Sequence, residues 1–193
     1  MTSAVLPSAP HRTGAPPDDL AAAAAAALAA VRERTPLVQC LTNEVTTNLV
    51  ANALLSLGAS PAMAAVPGEA QELAGVAGAV LVNLGTPGPD QRACVAPTVA
   101  AAAGAGVPWV LDPVAVGVLS VRTRLAAALL AERPVVVRGN ASEVRALAGH
   151  ASGGRGVDAL DGVDAAADAG ERRALLGELL ELEARRRSLR ESA

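Results

Sequence analysis

An α/β fold with a parallel sheet covered by helices is what this sequence predicts. Three observations carry that prediction. Short apolar runs rich in β-branched residues, such as AVLVN and VPWVLD, recur along the chain. Longer stretches with helical spacing separate them. Polar residues and glycines gather just after the apolar runs, at the carboxyl ends of strands where open α/β sheets bind ligands.

Residues 1–17, rich in Pro, Ser and Gly, read as a disordered tail. Asp18 and Asp19 then precede an Ala-rich run expected to be helical to about Arg34, since acidic residues suit a helix start. Thr35-Pro36 stops it. Leu37–Thr42 is a strand-like run. From Asn43 to Gly58 the pattern is helical: Val50, Leu54 and Leu57 follow an i, i+4, i+7 spacing, and Gly58 is placed as the C-cap. Ser60–Val66 is strand-like, followed by a short helix in GEAQELAGVAG. Ala79–Gly85 is a buried strand, Asp90–Ala105 a helix, Val107–Val114 a buried strand and Ser120–Glu132 a helix. Arg133–Asn140 is a strand leading into a helix that Gly149 closes. Strands apolar on both faces imply right-handed crossovers with helices on both sides. Beyond about residue 165 the texture changes to an Arg/Glu/Leu segment, expected to be a solvated helix supported by Glu181–Arg185 and Glu183–Arg187 pairs.

The 193 residues carry a net charge of -3, with 51% hydrophobic and 18% charged residues, which favours a buried core over wholesale disorder. Arg is the only residue in the Lys/Arg class, Phe and Tyr are absent and Trp109 is the single Trp, so a nucleic-acid surface is not expected. Cys40 and Cys94 cannot build a disulfide framework or, alone, a zinc site. The apolar run Leu20–Val31 is too short to span a bilayer, and Asp18 and Asp19 stand where a signal peptide has positive charge. No membrane is expected, and the cytoplasm is the expected compartment.

Four strand ends carry candidate chemistry. In DPVAVG, Asp112 could hold Mg²⁺ or water near a phosphate, or could form an Asp-Pro turn with local hydrogen bonds. In RGNASE, Arg138 could fork onto a phosphate and Glu143 could join a metal shell; Asn140 with Glu143 three residues later is also a capping-box pattern. In LTNEVTTN, Thr and Asn side chains could line a pocket or cap a helix. Met63 could pack against a ring-shaped ligand or fill core. Gly153–Leu160 (GGRGVDAL) has the glycines of an anion loop but neither standard fingerprint.

Taken in order, Pro36–Ala64, Asn83–Thr86, Gly106–Gly117, Arg138–Gly149 and Gly156–Gly162 resemble the hydroxyethylthiazole kinase family of thiamine salvage, over about residues 20–165. The resemblance implies a ribokinase-like three-layer sandwich with a mostly parallel sheet, incomplete at the C-terminus. It divides the chain into a tail (1–17), a partial kinase domain (18–165) and a divergent charged helical tail (166–193). It implies transfer of the ATP γ-phosphate, with Mg²⁺, to the primary hydroxyl of 4-methyl-5-(2-hydroxyethyl)thiazole, usually in a homotrimer with sites between subunits. It places Asn43, Val45 and Met63 in the thiazole pocket, Arg138 on ATP, and Asp112 and Glu143 near Mg²⁺ and phosphate. Family members continue with further strands and a Gly-Thr-Gly-Cys-like loop that cradles the phosphate. Gly170–Ala193 does not match that loop, so the resemblance assigns no catalytic base here. Two readings of the activity stay open: a kinase, and a non-catalytic thiazole-binding or oligomerising remnant. The end after about Asp168 is expected to be truncated or frameshifted; a strand followed by a GTGC-like loop in one downstream reading frame checks this.

Overall fold

The computed structural model describes residues 17–148, together with the short strands at 154–155 and 158–159. A first helix, α1 (Pro17–Arg34), ends where Thr35 and Pro36 turn the chain into β1 (Leu37–Leu41). Then follow α2 (Thr47–Leu57), β2 (Ser60–Ala62), α3 (Glu69–Ala74), β3 (Ala79–Asn83), α4 (Pro89–Gly104) and β4 (Trp109–Asp112). The series continues with α5 (Ser120–Leu130), β5 (Val136–Val137) and α6 (Ala141–Leu147). The five strands form one sheet in the order β2-β1-β3-β4-β5, every neighbour parallel. The predicted α/β class and parallel sheet are therefore present.

Register decides which residues share a face. Gln39 pairs with Val80 and Val80 with Trp109; Leu41 pairs with Val82 and Val82 with Leu111. These side chains form the core face of the sheet and are buried. Against them pack Ala70 and Ala74 of α3, Cys94, Val95, Val99 and Ala102 of α4, and Ala126 and Leu129 of α5. Small alanines let these helices approach the sheet closely, so aliphatic side chains and one Trp fill the layer without other aromatics. Gln39 sits in this layer, where its Nε2 donates to the carbonyls of Ala64 at 3.0 Å and Ala70 at 2.8 Å. Those bonds tie the start of α3 to the sheet.

The opposite face is less covered. Alternate residues of β3 are only half-buried, and no residue of α2 is buried. Leu49 and Leu55 of α2 lie in solvent, 68% and 58% exposed. The expectation of helices closing both faces equally is thus met on one side and only partly on the other. Among the described residues no helix is long and apolar enough to cross a membrane.

Three boundaries differ from the sequence expectation, each for a local reason. Helix α2 starts at Thr47 and not near Asn43, because Asn43 folds its own side chain onto the Val45 N–H and holds residues 43–46 in turns. Strand β2 stops at Ala62 and not Val66: beyond it the chain turns down to present the Ala64 carbonyl to Gln39. Strand β5 keeps two residues of the expected eight, since Arg133 takes a left-handed φ of 58° and Gly139-Asn140 opens α6. Gly58 caps α2 with φ 95°, and a side chain there would meet Arg32 of α1. Gly154–Arg155 and Asp158–Ala159 pair antiparallel. Of the expected tail 1–17, Pro17 instead begins α1; residues 1–16, Gly149 and the charged segment 166–193 lie outside the described residues.

Leu111, on the interior strand β4, is fully buried in the core layer of this sheet. Leu111→Ala should lower unfolding free energy by about 2–5 kcal/mol in a chemical denaturation series, the usual cost of a core truncation that leaves a cavity. A loss below about 1 kcal/mol would show that β4 is not the centre of the core.

Candidate functional site

The chain leaves β1 towards β2 on one side and leaves β3 towards β4 on the other. The crevice outside the carboxyl ends of β1 and β3 is therefore the switch point of the sheet, where α/β folds place ligands. A cleft of about 230 Å³ lies at this edge, lined among others by Cys40 near the end of β1, Thr42 just after it, Met63 after β2, and Gln91 at the start of α4. Glu44 and Asp90 add carboxylates to its lining.

One strand over, the parallel register sets Asn83 opposite Asp112. The Asn83 Nδ2 donates to Asp112 Oδ2 at 2.7 Å, while Asn83 Oδ1 accepts the Gly85 N–H at 2.8 Å. Gln91, buried in the first turn of α4, donates to the Asn83 carbonyl at 2.9 Å, so the Asn83 peptide is fixed from a third direction. Arg138, leaving β5, donates from Nη1 to the same Asp112 Oδ2 at 3.2 Å. The two partners differ in setting: the Arg138 side chain is 77% exposed and that of Asp112 11%. The other oxygen, Asp112 Oδ1, is buried with no hydrogen-bond partner. Burial pushes the Asp112 carboxyl above its ordinary value of 3.8, against the opposing pull of Arg138 and Asn83.

Glu143 is buried too, and both its oxygens are engaged. Oε2 accepts the Asn140 N–H and Oε1 accepts the Ala115 N–H, each at 2.9 Å. Asn140 Oδ1 returns a bond from the Glu143 N–H at 2.9 Å, completing the capping box of α6. Asn43 stands at the other end of the site. Its Oδ1 accepts the Val45 N–H and the Thr86 hydroxyl, both at 2.9 Å, and the Thr86 Oγ1 accepts the Glu44 N–H at 2.9 Å. This knot joins the loops after β1 and β3. It requires a glycine at 85, where a Cβ would fall within 2.8 Å of the Asn43 Cβ and nearer still to its amide.

The sequence-predicted residues thus separate into groups. Asp112, Arg138 and, through backbone, Glu143 meet at the ends of β4 and β5. Met63 lines the cleft, and Asn43 lies beside it in the chain between Thr42 and Glu44. Val45 is not in the cleft lining and is 83% exposed. Asn83, Gln91 and Thr86 also carry site geometry: the sequence marks Asn83–Thr86 as a strand-end segment without giving either residue a role, and Gln91 leaves no signal there. Both thiols are buried, and burial raises the Cys40 thiol to about 11, so it stays protonated and a poor nucleophile near neutral pH.

Comparison with known proteins gives the family. Residues 28–176 match the model of the Hydroxyethylthiazole kinase family. A hydroxyethylthiazole kinase of Clavibacter sepedonicus is 59% identical over 142 residues, covering 74% of this chain and 52% of that protein. One of Corynebacterium glutamicum is 53% identical over 145 residues, 75% of this chain and 54% of the relative. Among solved structures, hydroxyethylthiazole kinase from Pyrococcus horikoshii superposes with a TM-score of 0.62 at 44% identity, over 64% of this chain and 49% of that one. The chain spans about half the length of the curated relatives it matches.

Two outcomes follow from the geometry. Gly85→Ala should cost roughly 1–3 kcal/mol, because the new Cβ displaces Asn43 and breaks the knot; an unchanged melting temperature would refute the close approach. Asp112→Asn should raise the melting temperature at pH 7. The carboxyl is raised on folding, so its charging destabilises the fold as pH climbs from 3.8 through the folded value. The advantage of the variant should shrink as pH falls towards 3.8, and a melt at pH 7 below that of wild type would contradict it.

Proposed function

The chain belongs to the hydroxyethylthiazole kinase family, and from that premise we propose that it binds 4-methyl-5-(2-hydroxyethyl)thiazole and ATP for transfer of the γ-phosphate to the primary hydroxyl. The observation that carries this reading is the cluster at the strand ends: an exposed guanidinium, Arg138, beside a buried carboxylate with one oxygen unpartnered. Phosphoryl transfer needs chiefly position and charge neutralisation. In this reading Arg138 meets phosphate oxygens, and the apolar side of the cleft at Met63 takes the ring. Asn43, next in the chain to the lining residues Thr42 and Glu44, ties the loops after β1 and β3 together through its bonds to Val45 and Thr86.

Mg²⁺, a hard cation that prefers oxygen ligands, suits Asp112, whose Oδ1 is buried without a partner. Bound there it would supply charge neutralisation for the phosphates. Each Glu143 oxygen already accepts a backbone N–H, which leaves it less capacity for the ion than Asp112 Oδ1, so in this reading it joins that shell through water. Asn83 and Arg138 keep the Asp112 carboxylate oriented, and no residue among those described is assigned as general base.

A homotrimer with sites at subunit boundaries belongs to the same reading. It is supported by the exposed Val45 and Leu49 and by a helix α2 that buries no side chain. Cytoplasmic location completes it. The second reading, a thiazole-binding or oligomerising protein without catalysis, draws support from two buried thiols, neither presented as a nucleophile.

Calorimetry with the thiazole alcohol and with Mg²⁺·ATP, alongside an ADP-release assay, separates these readings. Wild type should bind both ligands. Met63→Ala should weaken the thiazole alcohol about tenfold, and Arg138→Ala should weaken Mg²⁺·ATP about tenfold with the thiazole unaffected, each near 1.4 kcal/mol. ADP release dependent on the alcohol selects the kinase; thiazole binding without it selects the second reading. Binding of neither ligand overturns both.

A further inference from the structure

The Glu143 side chain is buried, and each of its oxygens accepts a backbone N–H. Its two oxygens reach N–H groups of different loops: Ala115 in the loop leaving β4 and Asn140 in the turn leaving β5. Those are the loops that carry Asp112 and Arg138. On the first side the linkage is short and stiff. Ala115 lies three residues past Asp112, with Pro113 between them and buried. The Val114 N–H donates to the Asp112 carbonyl at 3.0 Å and the Val116 N–H to the Pro113 carbonyl at 3.2 Å. On the second side Asn140 follows Arg138 by two residues, and the Glu143 carboxylate lies against Gly139, where an added Cβ would meet Oε2 at 3.3 Å.

Ala115 also carries a conformation that needs support. Its φ is 59°, in the left-handed region, although it has a Cβ and is buried. Such a residue costs on the order of 1–2 kcal/mol against the ordinary helical or extended wells. A charge-assisted hydrogen bond to its N–H opposes that cost. Each Glu143 oxygen already accepts an N–H from a loop peptide, whereas Asp112 Oδ1, buried, accepts none and keeps its full capacity for an ion.

We propose that Glu143 is a positioning residue that holds Asp112 and Arg138 in place through the Ala115 and Asn140 amides, and is not itself a metal ligand. The proposal rests on the reading above, in which Asp112 and Arg138 meet Mg²⁺·ATP. Glu143→Gln removes half of the clamp. A capping box tolerates Gln, so the bond to Asn140 stays and the side-chain NH₂ turns towards the Ala115 N–H. Ala115→Gly removes the need for that bond, because glycine takes a left-handed φ freely.

The test uses the full chain as wild type, Glu143→Gln, Ala115→Gly, the double variant and Asp112→Asn, with amide hydrogen exchange and Mg²⁺·ATP calorimetry on each. Exchange of the Ala115 amide should rise at least about tenfold in Glu143→Gln, as a lost hydrogen bond of this kind implies. The Mg²⁺·ATP affinity should fall several-fold, and adding Ala115→Gly should recover most of that loss. A fall in affinity that Ala115→Gly does not recover would make Glu143 a direct ligand and overturn the proposal. Unchanged exchange at Ala115 would overturn it as well. If Glu143→Gln does not fold, Glu143→Asp, which keeps both oxygens but retracts them by one methylene, takes its place with the same readouts. Failure of the underlying reading looks different: Asp112→Asn then leaves Mg²⁺·ATP affinity unchanged, or wild type binds no Mg²⁺·ATP. In either case hydrogen exchange at Ala115 still decides whether the clamp exists.

Discussion

A carboxylate kept from water at the end of a central strand is the constraint around which this molecule is arranged. Asp112 ends β4, and its charge is met on one oxygen by the Asn83 amide and the Arg138 guanidinium. Neither partner could reach it without the parallel register that sets Asn83 directly opposite and brings β5 alongside β4. Gln91 then fixes Asn83 from α4, and Glu143 joins the loops beyond Asp112 and Arg138. The sheet's aliphatic core gives these strands their order. The polar network at their carboxyl ends gives that order a chemical use.

Much of this was legible in the sequence. Apolar runs such as AVLVN announced strands buried on at least one face, and Gly58 announced the end of α2. The spacing of Asn140 and Glu143 announced a capping box that the structure contains. Asp112 and Arg138 were legible as residues at strand ends, because position at a strand end is a local property. Other features were not. The bond from Glu143 to Ala115 spans 28 residues and leaves no local trace, since alanine gives no sign of a left-handed φ. Gln39 in the middle of an apolar strand reads as a mismatch until the carbonyls of Ala64 and Ala70 are seen above it. The extents of β2 and β5 failed for the same reason: where a strand stops depends on what the following loop must reach.

The site also shows where local stability yields to chemistry. The unpartnered Asp112 oxygen and the left-handed Ala115 both lower the stability of the fold, and they lie three residues apart. Arg138 lies mostly in solvent, so its pairing with Asp112 is screened and contributes little to folding. What the arrangement provides is orientation: a buried carboxylate oxygen and an exposed guanidinium, both held at the carboxyl edge of the sheet. Helix α2, with leucines in solvent, leaves a second apolar surface uncovered on the far face of the sheet.

The most direct measurement is the ionisation of Asp112 followed by carboxyl ¹³C chemical shift against pH, with and without Mg²⁺·ATP. The account predicts a midpoint above the ordinary 3.8 in the free chain, because burial outweighs Arg138 and Asn83, and a lower midpoint once the cation and nucleotide are added. A midpoint at or below 3.8 in the free chain, or one indifferent to Mg²⁺·ATP, would contradict it.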